Sequence, residues 1–169
     1  MNKMMIALIA LYLAAIIAAN LLVVTFGPSI SILNAFLFIG LDITTRDALH
    51  EGWRHKGLWW KMLVLIAGGS ILSAAFNWSA ARIATASFLA FAAAGAADAI
   101  IYHVLRDRAR ILKINGSNIV SAAVDSLLFP ALAFGFPLLI AVMLGQFFAK
   151  VLGGFIWSLV LRRVELRIA

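Results

Sequence analysis

From Met4 to Phe26 the chain runs through 23 residues without one charged side chain. About 20 mostly apolar residues are enough to carry a helix across the hydrocarbon core of a bilayer. Lys3 in front of this run and Ala18-Ala19-Asn20 near its end give it some likeness to a secretory leader. A leader's apolar stretch is much shorter, however, and further runs follow this one, so it reads as a retained first helix. Composition extends the argument to the whole chain. Of 169 residues, 64% are hydrophobic and 12% are charged, whereas soluble domains are nearer half and a quarter. A chain this short keeps much of its surface exposed and cannot hide that excess in a core. Lipid is the solvent the sequence implies. With few prolines, no low-complexity tract and no repeat at solenoid periods, residues 1–169 read as a single membrane domain.

The apolar runs divide the chain into helical spans near Met4–Phe26, Leu58–Phe76, Ile83–Leu105, Ser117–Phe134 and Pro137–Leu161, plus one that starts near Ser29. That second span is clean only to Leu41, after which come Asp42, Arg46, Asp47, His50 and Glu51, with no Gly or Pro before Gly52. About twelve apolar residues do not cross the hydrocarbon core. The second helix is therefore expected to continue to Trp53 with charges inside the membrane. Gly27-Pro28-Ser29 and Asn115-Gly116 are turn signals. The links between spans 1 and 2, 3 and 4, and 5 and 6 are short, which predicts antiparallel hairpins. The expected fold is an all-α membrane protein, a six-transmembrane-helix bundle.

The net charge of +7 and the absence of cysteine exclude several functions. Without cysteine there are no disulfides, thiolate metal sites or cysteine nucleophiles. The basic residues do not form a nucleic-acid-binding patch. They sit in short clusters between apolar runs: Lys3; Arg54, Lys56 and Lys61; Arg106, Arg108, Arg110 and Lys113; Arg162, Arg163 and Arg167. In the six-span reading all fall on one side, and the other side has only Arg82. The positive-inside rule then places both termini in the cytoplasm, in a plasma (inner) membrane protein. Trp59, Trp60 and Trp78 flank the third span as interfacial aromatics do.

Two rows of small residues predict close helix packing. One is Ala141, Gly145, Ala149 and Gly153 on the sixth span, and the other is Ala92–Ala97 on the fourth.

The informative residues are the ionisable ones inside spans, since a charge at the bilayer centre costs at least roughly 2.5–3.5 kcal/mol and usually faces a cavity or a partner. Asp42 and Arg46 lie in the second span, Asp98 in the fourth, Asp125 in the fifth and Lys150 in the sixth. Counted from the basic ends of their spans at about 1.5 Å per residue, these groups converge on one layer. Asn118, Ser121 and Asp125 share one face of the fifth helix. Asp42 and Arg46 are spaced to pair along the second, as are Gln146 and Lys150 on the sixth. Lys150 is expected to neutralise Asp98 or Asp125. This polar stripe fits a substrate path, a structural ion-pair network without a ligand, or a catalytic site. His50, His55 and His103 lie near helix ends or the basic surface, and no HExxH, P-loop or metal-ligand spacing occurs. No cofactor or metal is expected.

Two segments carry a family resemblance. Gly40-Leu41-Asp42-Ile43-Thr44-Thr45-Arg46-Asp47-Ala48-Leu49-His50-Glu51 resembles the motif after the second span of the queuosine-precursor transporters, also called the vitamin-uptake-transporter-like family. Asn118-Ile119-Val120-Ser121-Ala122-Ala123-Val124-Asp125-Ser126-Leu127-Leu128-Phe129 resembles that family's Asn/Ser…Asp-Ser…Phe segment, and Ala19-Asn20 also fits. The resemblance implies import of 7-cyano-7-deazaguanine or 7-aminomethyl-7-deazaguanine, the bases used to make queuosine or archaeosine. Together with the shared layer and the shared face of the fifth helix, it leads to the expectation that Asp42, Arg46, Asp98, Asn118, Ser121 and Asp125 line the substrate site. A carboxylate can accept N1–H and N2–H₂ of such a base as a bidentate pair, while Asn, Gln or Ser serves the O6 edge. Phe129, Phe91 or Trp157 can stack on the ring. The expected partners are the deazaguanine base, the bilayer and a second copy in a homo-oligomer, with no nucleic acid. The alternatives are the substrate-binding subunit of an energy-coupling-factor vitamin importer, with the small-residue row of the sixth helix as its docking face, and a small membrane enzyme.

Overall fold

A computed structural model describes residues 3–38, 58–105, 107–108 and 110–168. All regular structure among them is helical: α1 (Lys3–Phe26), α2 (30–38), α3 (Leu58–Phe76), α4 (Ala81–Val104), α5 (Arg110–Phe134) and α6 (Ile140–Ile168). A 3₁₀ turn, Trp78–Ala80, joins α3 to α4. Three helices contain stretches long and apolar enough to cross a membrane, Met5–Phe26, Trp78–Ile101 and Asn115–Phe134, and Trp60–Phe76 and Ile140–Ile156 are shorter apolar helices. The expected continuation of α2 to Trp53 lies outside the described residues.

Turn chemistry explains where the helices stop. Gly27 has φ +81° and donates its N–H to Val23 O at 2.9 Å, and Gly135 has φ +76° and donates to Ala131 O at 3.0 Å. Both are left-handed helix caps, a conformation that glycine adopts without steric cost. After α3, Asn77 caps the 3₁₀ turn, its side chain accepting from Ser79 N at 3.0 Å.

Cross-helix hydrogen bonds fix the register of the bundle. Asn20 Nδ2 donates to Ser73 Oγ at 3.1 Å, so the ends of α1 and α3 lie together. Asn34 Nδ2 donates to Ala19 O at 3.0 Å, closing the α1–α2 hairpin. Arg82 Nε approaches Leu132 O at 3.4 Å, placing the start of α4 beside the end of α5. Gln146 Nε2 donates to Ser31 Oγ at 2.8 Å, placing the start of α6 beside that of α2. The turns at 27–29, 77–80 and 135–139 thus share one end of the bundle. The first residue of α1 and the last of α6 point to the other end.

Close packing follows the glycines. A Cβ on Gly69 of α3 would lie 2.8 Å from Ile16 Cγ2 and 3.0 Å from Ile16 Cβ on α1. A Cβ on Gly145 of α6 would lie 2.5 Å from Ile32 Cδ1 and 3.0 Å from Ile32 Cγ1 on α2. Gly145 and the buried Gly153 turn the small-residue row of α6 partly inward, while Ala141 is exposed. On α4, Ala90 and Ala94 are buried.

Polarity is arranged inside out. Asn20, Ser31, Asn34, Ser73, Asp125, Ser126 and Gln146 are buried, whereas Ile71, Phe76, Phe136 and Phe155 are exposed. Phe26, Phe76, Trp78 and Phe136 ring the turn end, Trp78 with 83% of its surface exposed. This is the pattern of a bundle whose outer solvent is lipid, with aromatics at the interface.

The fifth helix corrects one expectation. It begins at Arg110 rather than Ser117, and Asn115-Gly116 is helical rather than a turn. The missing side chain at Gly116 serves packing: a Cβ there would lie 2.9 Å from Leu105 Cδ1.

Candidate functional site

A partly open cavity lies among α1, α2, α4, α5 and α6. Tyr12 and Asn20 of α1, Asn34 and Phe38 of α2, Ser87 and Phe91 of α4, Asp125 and Phe129 of α5, and Gln146 and Lys150 of α6 line it. It offers about 130 Å³. An engineered apolar cavity of about 150 Å³ holds benzene, so the space suits a planar ring. Helical spacing delivers the lining side chains. Asn34 and Phe38, Ser87 and Phe91, Asp125 and Phe129, and Gln146 and Lys150 are each one turn apart and share a face of their helix. Four helices thus each present a polar group and, one turn on, an aromatic or charged group.

Among the described residues, the cavity's charge is concentrated in one pair. Lys150 Nζ donates to Asp125 Oδ2, with 14% and 12% of the two side chains exposed, and lies 3.3 Å from Ser126 Oγ. Lysine at this depth is held in place because a buried charge without a counterion is strongly destabilising. Pro130, fully buried one turn beyond Ser126, has no N–H to give to the Ser126 carbonyl, so α5 lacks one backbone rung just past the pair.

The neutral polar groups are tied into a frame. Gln146 donates to Ser31 Oγ, and Ser31 Oγ donates to Pro28 O in the α1–α2 turn. Asn20 donates to Ser73 Oγ, which donates to Gly69 O at 2.7 Å. Phe129 is fixed by an edge-to-face contact with Phe134, with centroids 6.0 Å apart. Hydrogen-bonded amides and packed rings keep such a site pre-shaped for a ligand with a flat face and polar edges.

Not all residues expected at a shared site meet there. Asp125 and Lys150 do. Asp98, half-buried on α4, is not among the lining residues, and its Oδ1 is buried without a hydrogen-bond partner among the described residues. From the Arg82–Leu132 contact, Asp98 lies about 24 Å along α4 but Asp125 only about 10 Å along α5, at about 1.5 Å per residue. The single layer expected for these carboxylates is therefore corrected: counting from Ser117 began α5 seven residues late and put Asp125 too near the basic end. Ser121 is half-buried and Asn118 exposed. They share Asp125's face by helical angle but lie toward the Arg110 end, below the cavity. Asp42 and Arg46 lie outside the described residues. Phe91 and Phe129, expected to stack on a ring, both line the cavity, whereas the side chain of Trp157 lies outside the described ones.

Ser31, Asn34 and Ser87 were not expected at the site. A lone Ser or Asn in an apolar run carries little signal, and the usable clue was the polar-to-aromatic spacing from Asn34 to Phe38 and from Ser87 to Phe91. Among the described residues, no three His, Asp or Glu side chains gather to hold a metal ion.

No curated protein and no solved structure matches this chain. The family model described as "Putative vitamin uptake transporter" matches residues 2–163. The apolar-surfaced helical bundle, with its mostly apolar cavity carrying a few polar side chains, is compatible with that description, and this chain belongs to that family of membrane transporters.

Proposed function

We propose that the chain imports 7-cyano-7-deazaguanine or 7-aminomethyl-7-deazaguanine across the plasma (inner) membrane as a six-span bundle with both termini in the cytoplasm. The observation that carries this reading is the cavity itself, where the Asp125 carboxylate lies among the amides of Asn20, Asn34 and Gln146 and the rings of Phe91 and Phe129. A carboxylate has capacity for several donors, so Asp125 can accept from Lys150 and from N1–H or N2–H₂ of a guanine-like edge. The amides suit O6, and the phenyl rings suit the flat face. The resemblance around Asn118–Phe129 supports the same ligand. Adenine-like bases would leave buried polar groups unpaired and should be rejected.

The test is uptake of labelled cyano-deazaguanine by cells that can neither make nor import it, scored by queuosine in tRNA. Expression of this chain is expected to restore queuosine. Background-level queuosine at normal membrane abundance of the protein would overturn the deazaguanine reading.

A further inference from the structure

Asp125 and Lys150 are the charged side chains among the described residues lining the cavity, and they are bonded to each other. Their charges sum to zero, and each charge is already used. A cationic group entering this space meets the ammonium of Lys150, and the negative charge of Asp125 is already balanced. An anionic group meets the reverse. The rest of the lining is apolar side chains, serines and neutral amides, and charges in such surroundings are screened less than in bulk water. An uncharged ring faces no such conflict.

We infer that Lys150 is a specificity-determining residue, which by neutralising Asp125 restricts the cavity to uncharged planar ligands and excludes cationic ones. The inference rests on reading the cavity as the ligand site, and it narrows that site to the nitrile-bearing base over the aminomethyl base. The amine of the latter, like that of lysine, is protonated at neutral pH. Selectivity of this kind comes from a repulsive element built into the site.

The experiment is ligand-induced thermal stabilisation of the full chain in lipid nanodiscs. Two matched pairs serve as probes: cyano- and aminomethyl-deazaguanine, and benzonitrile and benzylamine. The wild-type protein is expected to bind the uncharged member of a pair more tightly by roughly tenfold or more, since juxtaposed like charges are strongly disfavoured in a desolvated site. Lys150→Gln releases Asp125 to serve as counterion, so the preference should vanish or reverse. Asp125→Asn combined with Lys150→Gln removes that counterion, and the preference for the uncharged ring should return.

Equal binding of both members by the wild type overturns the inference, as does a ratio that Lys150→Gln leaves unchanged. An absence of any shift with every uncharged ring also overturns it. Should Lys150→Gln fail to accumulate, benzylamine in the growth medium is expected to raise its abundance and benzonitrile is not. An equal response to the two, including none, again overturns the inference. If both deazaguanines are inert while the benzonitrile and benzylamine pair shows the expected pattern, the deazaguanine reading fails and the charge filter stands.

Discussion

Gln146 of α6 donates from Nε2 to Ser31 Oγ of α2 at 2.8 Å, across 115 positions of sequence, and both residues are buried. This bond ties the last helix to the first hairpin beside the cavity. Interhelical side-chain bonds in membranes average about 0.6 kcal/mol. A double-mutant cycle of Gln146→Ala and Ser31→Ala, read by unfolding in detergent, should give a coupling of that order. A coupling indistinguishable from zero would show that the bond does not hold α6 in place.

Lys150 and Asp125 should be coupled much more strongly. Removing one partner of a buried ion pair costs about 3–5 kcal/mol, because the other charge is left alone. Lys150→Met is therefore expected to lower membrane abundance more than Lys150→Met combined with Asp125→Asn. Purely additive losses would contradict the pairing.

The two intramembrane aspartates should separate functionally. Asp125→Asn keeps the size of the side chain but replaces an acceptor with a donor inside the cavity and leaves Lys150 without its counterion, so abundance should fall and uptake per inserted protein should fall to background. Asp98 lies away from the cavity lining, so Asp98→Asn should change uptake by less than about twofold, as substitutions outside a site usually do. Uptake measured for both proteins at matched abundance decides this. Background uptake by Asp98→Asn would move the functional carboxylate to α4.

Two glycines should differ in what they tolerate. At Gly69 an added methyl meets the branched stem of Ile16, which cannot swing aside. At Gly145 its nearest neighbour is the mobile tip of Ile32. Overpacking costs about 1–3 kcal/mol, and Gly69→Ala should lie toward the top of that range and Gly145→Ala toward the bottom. Ile16→Ala should partly rescue Gly69→Ala. Melting temperatures of the purified proteins test the order, and the reverse order would refute the packing described.

The basic clusters and the shared end of the two termini predict a cytoplasmic C-terminus. A reporter fused after Ala169 should be active only if it is of the kind that folds in the cytoplasm. Activity confined to an exported reporter would invert the orientation and change the span count.

The sequence was most legible where one signal dominated. The uninterrupted apolar run gave α1 to within one residue at its start, and Leu58–Phe76 is the observed α3. It was least legible where a local signal competed with packing. Asn115-Gly116 has turn chemistry, yet the chain is helical there, with Gly116 packed against Leu105. Asp125 and Lys150 stood out because charges are rare in spans. The frame around them did not, since Ser31 and Asn34 gain their meaning only from Gln146 and Ala19 on other helices. The shared layer proposed for Asp98 and Asp125 depended on helix starts, and an error of two turns in α5 was enough to create it.

The pairing of Lys150 with Asp125 also bears on what drives movement through the membrane. One elementary charge crossing the full membrane potential is worth about 2.3 kcal/mol per 100 mV. A lone lysine or aspartate in this layer would feel that force whenever the layer shifted. The bonded pair moves as a dipole of zero net charge, so the voltage does little work on it, and an uncharged ring adds none. The pair, buried as it is, offers the membrane potential no net charge to act on.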